Sequence, residues 1–231
     1  MTRLLRRLRR EESGFTLVEL LVACLIGIII LLASFMMLDS SIVLTGKVTD
    51  RVDRTQRARG AMETITRELR SQVCPSAGQP ALIDAQDYSV KFYSFMGLRP
   101  FVPDIRQIAW DTNTNSIVES TWAGSGTSGN FSWASSPTTK TILTDVKPPY
   151  VSGTSGPRGP VFKYYAPGGA SPFTSPVGAT NLAATAKITI DFVTYAQSRN
   201  TTGTTTTLQN EVFVRTADPN GAAGSTAPEC A

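Results

Sequence analysis

Histidine is absent from all 231 residues. Its absence removes Ser-His-Asp and Cys-His nucleophilic catalysis, and with them the commonest zinc ligand. Cysteine is scarce, at Cys24, Cys74 and Cys230 only. Excess charge is scarcer than the net +4 suggests. Residues 1–14 set Arg3, Arg6, Arg7, Arg9 and Arg10 against Glu11 and Glu12, so three of those four charges lie there. The remainder, +1, is too small to build a nucleic-acid surface by bulk charge, so nucleic acid is not an expected partner. A small-residue A-x-A cleavage site after the apolar run is also missing, which sets the segment apart from an ordinary secretory signal.

What is present is one long apolar run, residues 15–38. Twenty-four residues make a helix of about 36 Å, enough to cross a bilayer. The basic flank before it belongs on the cytoplasmic side, which places everything after the run outside. Inside the run stands one carboxylate, Glu19. An ionised side chain at membrane depth costs several kcal/mol unless it is paired. Glu19 lies five residues past Gly14, and a cut after Gly14 would expose an amino group on Phe15 as its opposite charge.

The string Gly14-Phe15-Thr16-Leu17-Val18-Glu19, behind a basic leader and ahead of an apolar helix, resembles the class III signal of type IV prepilins and type II secretion pseudopilins. The resemblance covers residues 6–38 closely. It implies a membrane prepilin peptidase that cleaves after Gly14 and N-methylates Phe15, and a docking contact made by Glu19 in a growing filament. It also implies as partners other pilin or pseudopilin subunits through the helix, a membrane assembly platform, and membrane lipid before assembly.

Past the apolar run, small or apolar residues recur at Ile42, Thr45, Val48, Val52, Thr55, Ala58, Met62, Ile65, Leu69 and Val73. Steps of three and four extend the helix to about residue 73 with one buried stripe. Lys47, Asp50, Arg51, Arg54, Arg57, Arg59, Glu63, Arg67, Glu68 and Arg70 fall on its open face. Cys74-Pro75 sets the stop, since proline disfavours helix in the residue before it. Gly46 and Gly60 mark bends, close packing or merely tolerated positions.

Strand patterns follow at 88–95, 104–110, 116–122, 141–145, 161–165, 186–195 and 211–216. The turn-rich residues 111–115 read as a hairpin, and the last two segments as a pair across 196–210. Residues 123–138 and 166–181 read as loops, and the Thr-rich 201–207 as low-complexity and mobile.

A long helix before an antiparallel sheet gives an α+β fold. It is similar to the pilin ladle, whose hydrophobic half-helix is transmembrane and whose other half carries a β-rich head. The strand order is most similar to the minor, J-type pseudopilins. The expected domains are a cleaved leader (1–14), a transmembrane half-helix (15–38), an amphipathic half-helix (39–74) and an extracytoplasmic head (75–231).

Cys74 and Cys230 both fall on the exported side, where a disulfide is permitted. They form either one bridge from the tail to the helix end or two separate thiols. Cys24 reads as a small apolar residue. Asp218-Pro219-Asn220-Gly221 has too few oxygens for calcium and reads as a turn. Trp110, Trp122 and Trp133 read as strand anchors before a sugar-binding patch. The missing histidines and the lack of convergent carboxylates weigh against an enzyme, and no catalytic, cofactor or metal residue is assigned. The expectation is a non-enzymatic minor pilin or pseudopilin. It would be held in the inner membrane by a single pass and later placed in a surface filament. A signal-anchored extracellular binding module or enzyme is the alternative.

Overall fold

The computed structural model describes residues 16–76, 78–97, 101–127, 130–151, 159–195 and 205–214. Helix α1 (Leu17–Arg70) comes first. Strands β1 (Leu82–Ala85), β2 (Ser89–Ser94), β3 (Asp104–Asp111), β4 (Ser116–Trp122), β5 (Gly124–Thr127) and β6 (Asn130–Trp133) follow. Then come β7 (Thr138–Leu143), β8 (Val146–Lys147), β9 (Phe162–Tyr165), a short α2 (Ala179–Ala183), β10 (Lys187–Thr194) and β11 (Thr206–Phe213). The architecture is α+β: a long helix with an apolar N-terminal half, then antiparallel strands. Two compact units divide the chain, residues 1–49 and 50–231.

In the first unit the described residues are helical from Leu17, and their large apolar side chains are exposed. α1 contains a window long and apolar enough to cross a membrane, with a mean hydropathy of 2.9. Its hydroxyls bond back to the helix. Ser34 donates to Ile30 O (2.9 Å), Ser41 to Met37 O (2.9 Å), Thr45 to Ser41 O (2.8 Å) and Thr49 to Thr45 O (3.0 Å). For Ser34, inside the apolar run, an apolar medium would supply no other partner.

In the second unit one face of α1 is buried, at Ala58, Ala61, Met62, Ile65 and Leu69. These residues join one core with Val90, Phe92, Ile108, Ile117, Phe162, Ile188, Ile190 and Phe192. The expected stripe therefore packs from Ala58 onward, while Ile42, Val48 and Val52 are exposed. Helical counting errs at two charged positions. Arg54 and Glu68 belong to the open face by spacing, yet both are buried.

The helix ends three residues earlier than the proline alone dictates. Gln72 bridges to Ser94, Val73 N–H donates to Tyr93 O (3.0 Å) and Phe95 N–H to Ser71 O (3.0 Å). Pairing with β2 thus replaces the last helical turn, and both alternatives satisfy the same backbone groups.

Five strands form one antiparallel sheet in the order β1-β2-β3-β4-β7. The β3–β4 hairpin turns where the sequence indicates. Asp111 Oδ1 accepts from Asn113 N–H (2.9 Å), Asp111 Oδ2 from the Thr114 hydroxyl (2.7 Å), and Asn115 takes φ 48°. A second sheet centres on β10, with β11 on one edge and β8 and β9 on the other. Its central position explains why Ile188, Ile190 and Phe192 are all fully buried.

β10 and β11 pair over eight residues, from Lys187↔Phe213 to Thr194↔Thr206. β11 therefore begins inside the Thr-rich stretch read as mobile, because threonine suits a strand once a partner fixes the register. The loop at 123–138 likewise contains the β5–β6 hairpin and the start of β7. Gly126 is required in that hairpin. Its φ is +105°, and an added Cβ would lie 2.3 Å from Asn130 O. The two sheets meet at Tyr164, a fully buried side chain whose hydroxyl is shared between Gln86 O (3.1 Å) and Ser89 O (3.0 Å).

Replacing Ile65 with alanine removes a fully buried side chain at the centre of this packing. The expected loss is about 2–5 kcal/mol, measured by denaturant unfolding of the full chain in detergent.

Candidate functional site

Of the residues assigned to processing and assembly, Gly14 and Phe15 lie outside the described residues. Thr16 and Glu19 are described, and they form the start of α1. Thr16 precedes the first helical residue, and its Oγ1 accepts the Glu19 amide proton at 3.3 Å. The Leu20 N–H donates to Thr16 O at 3.2 Å. Glu19 thereby occupies the third helical position, in the Thr-x-x-Glu pattern of a capping box. This signature stands plainly in the sequence, but counting from Gly14 alone passes over it.

The position also suits the charge. An acidic side chain in the first turn faces the positive end of the helix dipole. Glu19 is thus the one acidic or basic side chain among Asp, Glu, Lys and Arg between residues 15 and 38, it is exposed, and it stands where the helix begins. An exposed carboxylate on an apolar helix can meet a cation supplied from outside its own helix.

Cys24, on the exposed surface of the apolar half, is a free thiol. Cys74 is disulfide-bonded. Cys230 lies outside the described residues, as do Asp218-Pro219-Asn220-Gly221. Among the described residues, no group of three or more His, Cys, Asp or Glu is placed to hold a metal ion. The tryptophans are half-buried strand residues. Trp110 Nε1 donates to Val146 O (2.9 Å), Trp133 Nε1 donates to Pro103 O (2.9 Å), and the Lys91 ammonium sits 4.4 Å from the Trp122 ring centre.

The densest charge chemistry lies within the second unit, and sequence reading did not find it. Arg106 on β3 donates through Nη1 to Glu68 of α1 and to Glu119 of β4, the latter at 2.6 Å. Both carboxylates are more than nine-tenths buried. Burial holds the Glu68 carboxyl above its usual range; Arg106 works against that shift, and the Glu119 charge adds to it. Residues 38 and 13 positions apart meet here, so no local spacing announces the cluster.

Residues 9–35 match the family model of the prokaryotic N-terminal methylation motif. No curated protein matches the chain. The matched residues take in the end of the basic flank from Arg9, Gly14, Phe15, the Thr16 cap, Glu19 and most of the apolar run.

Thr16→Ala removes the hydroxyl that caps Glu19. The expected cost is about 0.5–2 kcal/mol at the helix start. Amide exchange at Glu19, followed in detergent micelles, should accelerate roughly 2- to 30-fold if the opening is local.

Proposed function

We propose that this chain is a pilin-like precursor whose product is a structural, non-enzymatic filament subunit. A prepilin peptidase removes residues 1–14 and methylates the new amine on Phe15. Before assembly the subunit crosses the inner membrane once, with residues 1–14 cytoplasmic and the head outside. The observation that carries this reading is the methylation motif lying across a capped apolar helix with one carboxylate at its third position.

The chemistry follows from the charges. Phe15, as an ammonium or N-methylammonium, remains cationic after processing. Glu19 of one subunit can pair with Phe15 of the next, cancelling two charges that are costly in an apolar setting. The charge pairing makes other subunits the partners, and the likeness to prepilin signals adds a membrane assembly platform, with lipid around the helix beforehand. The loop content of the head favours a minor subunit over the bulk one, because close filament repetition leaves little room for long loops, and the strand order favours the J type. We assign Cys230 as the partner of Cys74, a bridge that ties the tail to the end of α1.

Intact-mass analysis of the membrane fraction should show loss of residues 1–14 and one added methyl on Phe15. An unprocessed chain in a peptidase-competent host would favour the signal-anchored alternative. Glu19→Gln keeps a side chain that suits the third position of a capping box but removes the charge. Cleavage should persist and filament incorporation should fall; normal incorporation would refute the docking role. A non-reducing peptide map should contain a Cys74–Cys230 crosslink.

A further inference from the structure

The buried cluster on Arg106 has an unbalanced charge. One guanidinium nitrogen serves two carboxylates, so with both ionised the site carries a net negative charge inside the head. Neighbouring cations correct it only in part. Arg67, next to Glu68 on α1, draws the Glu68 carboxyl down but is exposed, and burial outweighs it; Lys140, opposite Glu119 on β7, is exposed too. On β2, Phe92 stands opposite Arg106 and adds no charge. On β3, Ile108 stands opposite Glu119 and adds none either.

The seam around the cluster is also short of hydrogen bonds. Arg106 Nε and both side-chain atoms of Gln72 are buried without a partner among the described residues. Beside them, the Ser71 and Ser94 hydroxyls share one bond of 2.5 Å across the same joint.

We propose that Glu68, Arg106 and Glu119 form a proton-operated clasp between α1 and the β3–β4 hairpin. With one proton shared into the cluster it is neutral, and it ties the helix to the sheet through two charge-assisted bonds. When that proton leaves, an uncompensated charge is buried at the joint and the seam loosens. Glu68 is the group that takes the proton, because it is drawn from the helix into the sheet's apolar face. Its folded affinity for a proton exceeds that of the unfolded chain. The clasp is therefore fully stabilising below the ordinary glutamate range, near 4.3, and it weakens as pH rises above that value through the folded one.

The test compares the full chain with Glu68→Gln in detergent, with unfolding followed by fluorescence of the three tryptophans, all of which lie in the head. The two proteins should agree in midpoint at the acid end. The wild-type midpoint should then fall relative to the variant as pH rises. Parallel curves would overturn the proposal.

Infrared spectroscopy of the wild type gives a reading that does not depend on the variant folding. A protonated carboxyl band should persist above the ordinary glutamate range. Asp191, which burial also holds up, adds its own band, so the Glu68 part is the one that Glu119→Gln moves to lower pH and Glu68→Gln removes. A wild-type spectrum without such a band would also overturn the clasp.

Discussion

The head depends on burying one face of α1, from Ala58 to Leu69, against strands that cannot cover their own apolar residues. Val90, Phe92, Ile108 and Ile117 come from three neighbouring strands of one sheet, and all are fully buried. A helix at this place supplies what a lone sheet lacks, a second layer. Other contacts then build on that layer. The Asn210 amide of β11 donates to Thr66 of α1 at 3.0 Å, and Tyr164 links the two sheets. The Arg106 cluster sits within this packing. Burial raises both the strength of its bonds and the cost of any imbalance.

At the other end of α1 the demands are different. There the helix bonds polar groups of its own, through a Thr16 cap and four hydroxyls bonded one turn back. Glu19 has two roles that need not compete. Its amide completes the helix start, while its carboxylate stays exposed for the cation that we propose a neighbouring subunit provides.

Much of this was legible from local pattern. The 15–38 run, the helix beyond it, the β3–β4 hairpin and the β10–β11 pair follow from periodicity and turn chemistry. The misses share a cause, which is dependence on a distant partner. Arg54 and Glu68 read as surface charges because helical counting sees only their own helix. The Thr-rich start of β11 reads as loose chain until β10 sets its register. Ser125 and Gly126 read as loop because nothing in their composition signals a strand; Asn130–Trp133 supplies the edge they pair with. At the candidate site the opposite error occurred. The Thr16–Glu19 cap was local and readable, but the charge of Glu19 drew the reading toward Gly14 alone.

The hydroxyl ladder starts in the apolar half at Ser34 and runs past it to Thr49. Ser34, Ser41, Thr45 and Thr49 keep their hydrogen bonds inside the helix, so their surroundings owe them nothing. In the filament reading that we propose, the Ser34 hydroxyl needs no new partner when residues 15–38 exchange lipid for protein helices. What the surroundings must then match is apolar surface and one charged side chain, Glu19.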